Sequence, residues 1–280
     1  MTLHEQVIVQ AALCGAATGK PTDTTSGTDQ ALVLDALEAW DAGAAVIHID
    51  AHVSGDSPCT ERLAPTIAAI RANGCDAILS LSCRSCGDAR CNSDQPGFLD
   101  LRPELAPLDC ASGRAAALAA TFREAGTTPE LRCSDARQLS SALRLRDAGL
   151  VDDPLQFQFF VDSKFGETAA IEEVTRLAAL VPAGATWSAR TRGLGQLRLN
   201  VLCLVAGGHV RTGIEDNPWL VEGVPATNQE LVERVVRIVD DLDRPLATPE
   251  EARQILQLGA SRREWRRPAP APIDLRVASG

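Results

Sequence analysis

Short apolar runs rich in Val, Ile and Leu recur along the 280-residue chain, and most are followed by a longer amphipathic stretch. A strand buried on both faces reads as such a run, and the amphipathic segment between two of them reads as a crossover helix. The pattern therefore predicts repeated βα units around a parallel sheet. Eight runs qualify, at residues 6–13, 45–50, 77–82, 105–110, 130–133, 156–161, 186–190 and 208–213. Eight units in roughly 260 residues is the arithmetic of a (β/α)8 TIM barrel. The expected organisation is a barrel over 1–258 and a Pro/Arg-rich C-terminal extension over 259–280, SRREWRRPAPAPIDLRVASG from Ser261, outside it.

Helix signals fall where this reading needs them. Thr28 is the expected N-cap of DQALVLDALEAWDAGA, with Gly43 as its stop, and Asn228 is the expected N-cap of QELVERVVRIVDDLD. Leu231, Val232, Val235, Val236 and Val239 then form one apolar stripe, and Thr248-Pro249 opens a last helix with Pro in its first turn.

A formal charge of −10 argues against a nucleic-acid partner, which needs a concentrated basic surface. The longest apolar runs are far below the roughly 20 residues that cross a bilayer, so no membrane association is expected. The opening MTLHEQVIVQ enters a strand-like run without a basic leader, and a cytoplasmic location follows as the expectation. A small-molecule role is the better expectation.

In a barrel of this kind the chemistry stands at the C-terminal ends of the strands. There this chain places Cys14, then His48, Asp50 and His52, then Ser82 and Cys83, then Asp109 and Cys110. Cys133, Asp162, Arg190 with Arg192, and Arg211 with Glu215 and Asp216 complete the ring. His48, Asp50 and His52 alternate and so share one strand face, although the outer two stand about 13 Å apart in an extended strand. His52 is therefore an additional metal ligand only if the chain bends at Ala51. Nine cysteines in a reducing compartment raise metal or redox chemistry. Cys83, Cys86 and Cys91 form CRSCGDARC, a CxxC with a third cysteine five residues on, and a fourth ligand from Cys14, Cys110 or Cys133 would complete an iron-sulfur or second metal site. A dithiol redox pair and inert buried thiols are the other readings of the same residues.

The stretch GGHVRTGIEDN (207–217), followed by ATNQELVERVVRIVDDLDRPLATPEEARQIL (226–256), resembles the β-keto acid cleavage enzymes. AGAAVIHID, GTTPEL and QFQF fit the same family, so the resemblance spans about residues 5–258. It implies a (β/α)8 barrel, a homo-oligomer (usually a tetramer, alternatively a dimer), and a bound zinc that polarises a β-keto acid while acetyl-CoA serves as co-substrate and CoA thioester partner. A Lewis-acidic metal needs protein ligands and one open position. The family's HxH and its glutamate after strand eight correspond to His48, Asp50 and Glu215. Aspartate in place of the second histidine makes the site harder and more anionic, favouring iron or manganese relative to zinc. The resemblance makes Arg211 and Asp216 the proton-handling pair and Ser82 the binder of the substrate carboxylate.

Two acids that the family carries are replaced here by Ala17 and Arg132, and the strand-four pair becomes Pro107 and Asp109. With Arg132, Arg190 and Arg192 added, the pocket turns towards an anionic substrate, with Arg132 and Arg190 as binding residues. His209 shares the parity of Arg211 and reads as an inward structural histidine, with metal ligation as the other reading. The leading expectation is metal-dependent, retro-Claisen cleavage of a β-keto acid with acetyl-CoA. Redox or lyase chemistry on a cysteine-ligated centre is one alternative, and a non-catalytic binding or assembly subunit is the other.

Overall fold

The computed structural model describes residues 6–13, 29–52, 59–84, 97–162 and 167–258, with residues 51–52, 59–62, 83–84, 97 and 167, His52 and Cys83 among them, described in their backbone only. Cys14, Cys86, Cys91 and the extension over 259–280 lie outside the described residues. Eight parallel strands close into one barrel in sequence order. They are β1 (Val9–Ala12), β2 (Val46–His52), β3 (Ile78–Arg84), β4 (Leu105–Asp109), β5 (Thr128–Cys133), β6 (Gln156–Phe160), β7 (Thr186–Arg190) and β8 (His209–Thr212). The helices between them are α1 (Gln30–Asp41), α2 (Cys59–Ala72), α3 (Ala115–Ala125), α4 (Ala136–Asp147), α5 (Glu167–Ala178) and α6 (Gly195–Val205). After β8 come a two-stranded ribbon, β9 (Trp219–Val221) with β10 (Val224–Pro225), then α7 (Asn228–Asp241) and α8 (Pro249–Ile255).

The expected strands all form, with shifted ends. Strand five begins at Thr128, two residues before its expected start, because Thr128 and Pro129 pair with Leu105 and Ala106 of β4. Both caps move by one residue. Asp29, in extended backbone, accepts from Leu32 N–H and caps α1. Thr227 caps α7 through a capping box with Glu230, leaving Asn228 as the first helical residue. Thr248 and Pro249 open α8 as expected.

Side-chain alternation separates two interiors. Outward positions such as Ile47, Ile49, Leu79, Leu81, Leu108, Leu131, Phe159 and Val210 join the helices in the main hydrophobic layer. The floor of the barrel is a second cluster in which Ile8, Val46, Ile78 and Leu105 pack on Ala252 and Leu256, so α8 is the plug. Arg253 fastens that plug by bonding Glu104 Oε1 at 2.8 Å and the Asp76 carbonyl at 2.7 Å. Above the floor the interior turns polar, against the branched apolar filling usual in such barrels. Gln10, His48, Asp50, Ser80, Glu130, Gln158 and Arg211 are all buried there.

The turn after β8 decides where the last site residues stand. Gly213 adopts φ +131°, and a Cβ on it would lie 2.2 Å from the Ala12 carbonyl oxygen, so only glycine allows β1 and this turn to meet. Glu215 N–H donates to that carbonyl at 3.2 Å. Asn228 then pins the turn from α7: its Oδ1 accepts from Ile214 N–H at 2.9 Å, and its Nδ2 donates to the Leu13 carbonyl at 2.9 Å and to Asp35 Oδ2 at 2.7 Å.

Burial pushes the Asp35 carboxyl up to about 6; the Asn228 bond opposes this, and Glu38 and Asp29 add to it. A carboxyl raised in the folded state holds its proton longer than in the unfolded chain. The stability that this one group contributes is therefore fully present below about pH 4, is lost as pH rises to about 6, and is flat beyond. Asp35→Asn keeps an acceptor for Asn228 and removes that loss. It is expected to stabilise by about 1–2 kcal/mol at pH 7.5, a few degrees in Tm, and not at all at pH 4. Thermal melts at the two pH values check this, and equal gains at both would refute it.

Candidate active site

At the C-terminal mouth, Arg211 is fully buried and bridges two carboxylates of its own turn. Its Nε donates to Asp216 Oδ2 at 2.7 Å and its Nη2 lies 2.9 Å from Glu215 Oε2. From β7, Arg190 Nη1 donates to Asp216 Oδ1 at 2.8 Å and lies 3.7 Å from Glu215 Oε1, while its guanidinium stacks 4.9 Å from the centre of the Phe160 ring. Burial opposes the charge on Arg211, but Asp216 and Glu215 outweigh it and hold the guanidinium above its ordinary range. Burial and the neighbouring Arg211 instead push Arg190 down.

From β2, on the other side of β1, His48 Nε2 stands 3.5 Å from Glu215 Oε2. Burial, then the charges of Arg211, Arg132 and Arg190, hold the imidazole well below the usual histidine range, so it is neutral. Ser82 Oγ donates to Asp50 Oδ1 at 2.8 Å and lies 3.3 Å from His48 Nε2. Beneath these, His48 Nδ1 meets Ser80 Oγ at 2.8 Å, and Ser80 donates in a short bond to Glu130 Oε2.

Of the three expected metal donors, His48 and Glu215 thus face each other, whereas Asp50 is held against the Ser82 hydroxyl. Among the described residues, no three His, Cys, Asp or Glu are gathered closely enough to enclose an ion. The pair does fit a divalent cation: a neutral imidazole and a carboxylate 3.5 Å apart are closer than the roughly 4.2 Å spanned by two metal–ligand bonds. Asp50 lies on the same strand face, one hydroxyl away.

Arg132 projects inward from β5, in register with Asp109 on one side and Gln158 on the other. Its Nε and Nη2 are shut from solvent without a hydrogen-bond partner, although the residue as a whole keeps some exposure. Burial and the charges of Arg190 and Arg211 push it down to about 9. A guanidinium held this way, with two donors unmade, is costly without a partner. Asp109, by contrast, is exposed and accepts from Ala111 N–H at 2.8 Å, which makes it a turn residue.

The cysteines divide. Cys110 and Cys133 follow the inward residues Asp109 and Arg132, so alternation turns them away from the interior, and both are buried in the layer beneath the helices. Of the expected cluster ligands, these two are therefore not brought to the interior of the mouth. Cys14, Cys86 and Cys91 lie outside the described residues, and nothing is described of the Cys83 and His52 side chains. His209 lies lower, its Nδ1 accepting from Ile8 N–H at 3.2 Å, and burial followed by Arg244 pushes it down to about 4.

Four residues that the strand-end reading passed over belong to the same interior: Gln10, Ser80, Glu130 and Gln158. The signal for them was polarity at inward positions of strands that are otherwise apolar.

The molecule is thus a (β/α)8 barrel whose C-terminal mouth holds a buried imidazole, carboxylate and guanidinium centre. The profile of the β-keto acid cleavage enzymes matches residues 6–258, and the chain belongs to that family. A 3-keto-5-aminohexanoate cleavage enzyme from Acetoanaerobium sticklandii is 33% identical over 273 residues, covering 90% of this chain and 98% of that protein. A 3-oxoadipate:acetyl-CoA acetyltransferase from Cupriavidus necator is 29% identical over 249 residues, covering 82% of this chain and 87% of the relative. Among solved structures, a dihydropteroate synthase from Clostridium difficile superposes with a TM-score of 0.56 at 12% identity, covering 85% of this chain and 96% of that one; the likeness is one of fold.

Proposed function

We propose that the protein cleaves a β-keto acid carrying a second anionic group, using acetyl-CoA as co-substrate and a divalent metal at His48 and Glu215. In balanced form, R–CO–CH2–COO⁻ and acetyl-CoA give acetoacetate and R–CO–CoA, the CH2–COO⁻ unit passing from one acyl group to the other. The carrying observation is the Arg211–Asp216–Glu215 arrangement, in which one buried guanidinium orients both carboxylates of the strand-eight turn.

Asp216 is the base. Both its oxygens accept from arginines, and each keeps a lone pair for the proton taken from the carbon between the keto and carboxylate groups. Arg211 fixes its direction. The Ser82 hydroxyl at the mouth binds the carboxylate next to the reacting carbon, and Arg132 with Arg190 takes the anionic group at the far end of R. His48 and Glu215, with Asp50 near, would hold a divalent ion, which when bound would supply Lewis acidity for the keto oxygen. Zinc suits the imidazole, and iron or manganese suits the carboxylates. Support for CoA chemistry comes from the relatives, whose names pair keto acids with acetyl-CoA.

The experiment is acetyl-CoA turnover with a matched panel of β-keto acids ending in a carboxylate, a methyl or an ammonium group. The expected result is acetoacetate formation, with kcat/KM highest for the dianion and lowest for the amino-keto acid. No acetoacetate from any member, with metal supplied, would overturn the reading.

A further inference from the structure

Beneath the site runs a chain of side chains that the reaction as described does not use. Gln158 Nε2 of β6 donates to Gln10 Oε1 of β1 at 3.1 Å, and Gln10 Nε2 donates to Glu130 Oε1 of β5 at 2.7 Å. Glu130 Oε2 accepts the Ser80 hydroxyl of β3, and Ser80 Oγ meets His48 Nδ1 of β2 at 2.8 Å. All five residues are buried, each 7% exposed or less. Their order matters more than their number. A serine hydroxyl has a single proton, and that of Ser80 is donated to Glu130. The Ser80 oxygen is then left to accept, and its partner Nδ1 of His48 must carry the ring proton.

We propose that Glu130 is a positioning residue which, acting through Ser80, locks the His48 ring in the Nδ1–H form and leaves its Nε2 lone pair facing Glu215. Ser82 Oγ at 3.3 Å and Glu215 Oε2 at 3.5 Å are acceptors that would draw the proton to Nε2, so the shorter 2.8 Å bond to Ser80 is what keeps it on Nδ1; without that bond the imidazole exchanges its proton between the two nitrogens. The far end of the chain explains why Glu130 does not turn away: the Gln10 amide holds its other oxygen, and Gln158 in turn holds Gln10. Five strands thus converge on one nitrogen. The result is an unprotonated nitrogen aimed at Glu215 before any ligand arrives, which is the role that outer hydrogen bonds play for metal-binding histidines in general. The tautomer stands on the hydrogen bonds alone; its use in the reaction rests on the proposed function.

The test uses the full chain labelled with ¹⁵N-histidine and stripped of metal. Long-range ¹H–¹⁵N correlations report which nitrogen of His48 is protonated, with the resonance assigned by its loss in His48→Gln. In the unaltered protein the expected result is Nδ1–H. Ser80→Ala and Glu130→Gln are expected to release the ring to a mixture with Nε2–H, and Ser80→Thr, which keeps the hydroxyl, to restore Nδ1–H. Competition titration with Zn²⁺ alone should show affinity falling about 10–100-fold in Ser80→Ala and recovering in Ser80→Thr. Nε2–H in the unaltered protein, or a tautomer indifferent to Ser80→Ala in a protein whose remaining histidine spectrum is unchanged, would overturn the proposal. Should Ser80→Ala fail to fold, Glu130→Gln carries the same reading. A ring locked as Nδ1–H in a chain that binds no Zn²⁺ and cleaves no keto acid would uphold the lock and overturn the proposed function instead.

Discussion

Asp216→Asn is expected to lower kcat for the preferred keto acid by about a thousandfold, within the 10²–10⁴ range that a positioned general base supplies. Asparagine has the same shape but cannot take a proton, and its Nδ2 would point donors at a guanidinium where the carboxylate pointed acceptors. Arg211 Nε or Arg190 Nη1 then loses its partner in a site closed to solvent. Breaking one side of a buried pair costs about 3–5 kcal/mol, so part of any loss of activity must be separated from loss of fold. Single-turnover kinetics with saturating substrate, on protein shown by thermal melting to be folded, makes that separation. A kcat within tenfold of the unaltered protein would remove Asp216 from the proton-handling role and leave Glu215 as the nearest carboxylate to Arg211.

The residues at this end of the barrel were legible because chain order carried them. His48, Asp50, Arg211, Glu215 and Asp216 are all strand-end or turn residues, and a parallel barrel sends every strand end to one mouth. What chain order does not carry is side-chain direction. Cys110 and Cys133 are also strand-end residues, yet one step of alternation turns them into the helix-facing layer. Glu130 was hidden by the opposite error. Read as the first residue of its strand, it belonged to an edge; with β5 beginning at Thr128 it lies mid-strand, facing inward beside Gln156 of β6. Ser80 and Gln10 lie in runs whose Val, Leu and Ile identify a strand, and a small hydroxyl or amide among them carries no signal of its own until a carboxylate is found across the barrel. The cap shifts have a related cause. Thr227 and Asn228 are both good caps, and tertiary demand decides between them, since Asn228 is needed to hold Ile214, Leu13 and Asp35 together.

Arg132→Met is expected to separate stability from selectivity, with opposite signs. The arginine keeps two nitrogens buried without a hydrogen-bond partner and is pushed down to about 9 by burial and by the like charges of Arg190 and Arg211. An apolar side chain of comparable length removes both penalties. Free enzyme should therefore be unchanged or more stable by about 1 kcal/mol, as when buried charges give way to apolar residues of similar volume. The dianionic keto acid loses its partner at the same time. Truncating one side of a desolvated charge pair costs about 2–5 kcal/mol, so kcat/KM for that substrate should fall at least thirtyfold. The methyl-terminated acid makes no such pair and should stay within a few-fold of its starting value. The panel assay and a denaturation curve on the same preparation measure both. Equal losses for the charged and neutral acids would show that Arg132 shapes the mouth without choosing the substrate. A destabilised variant would show that Glu215 and Glu130, which oppose its loss of charge, hold Arg132 more firmly than its two open nitrogens suggest.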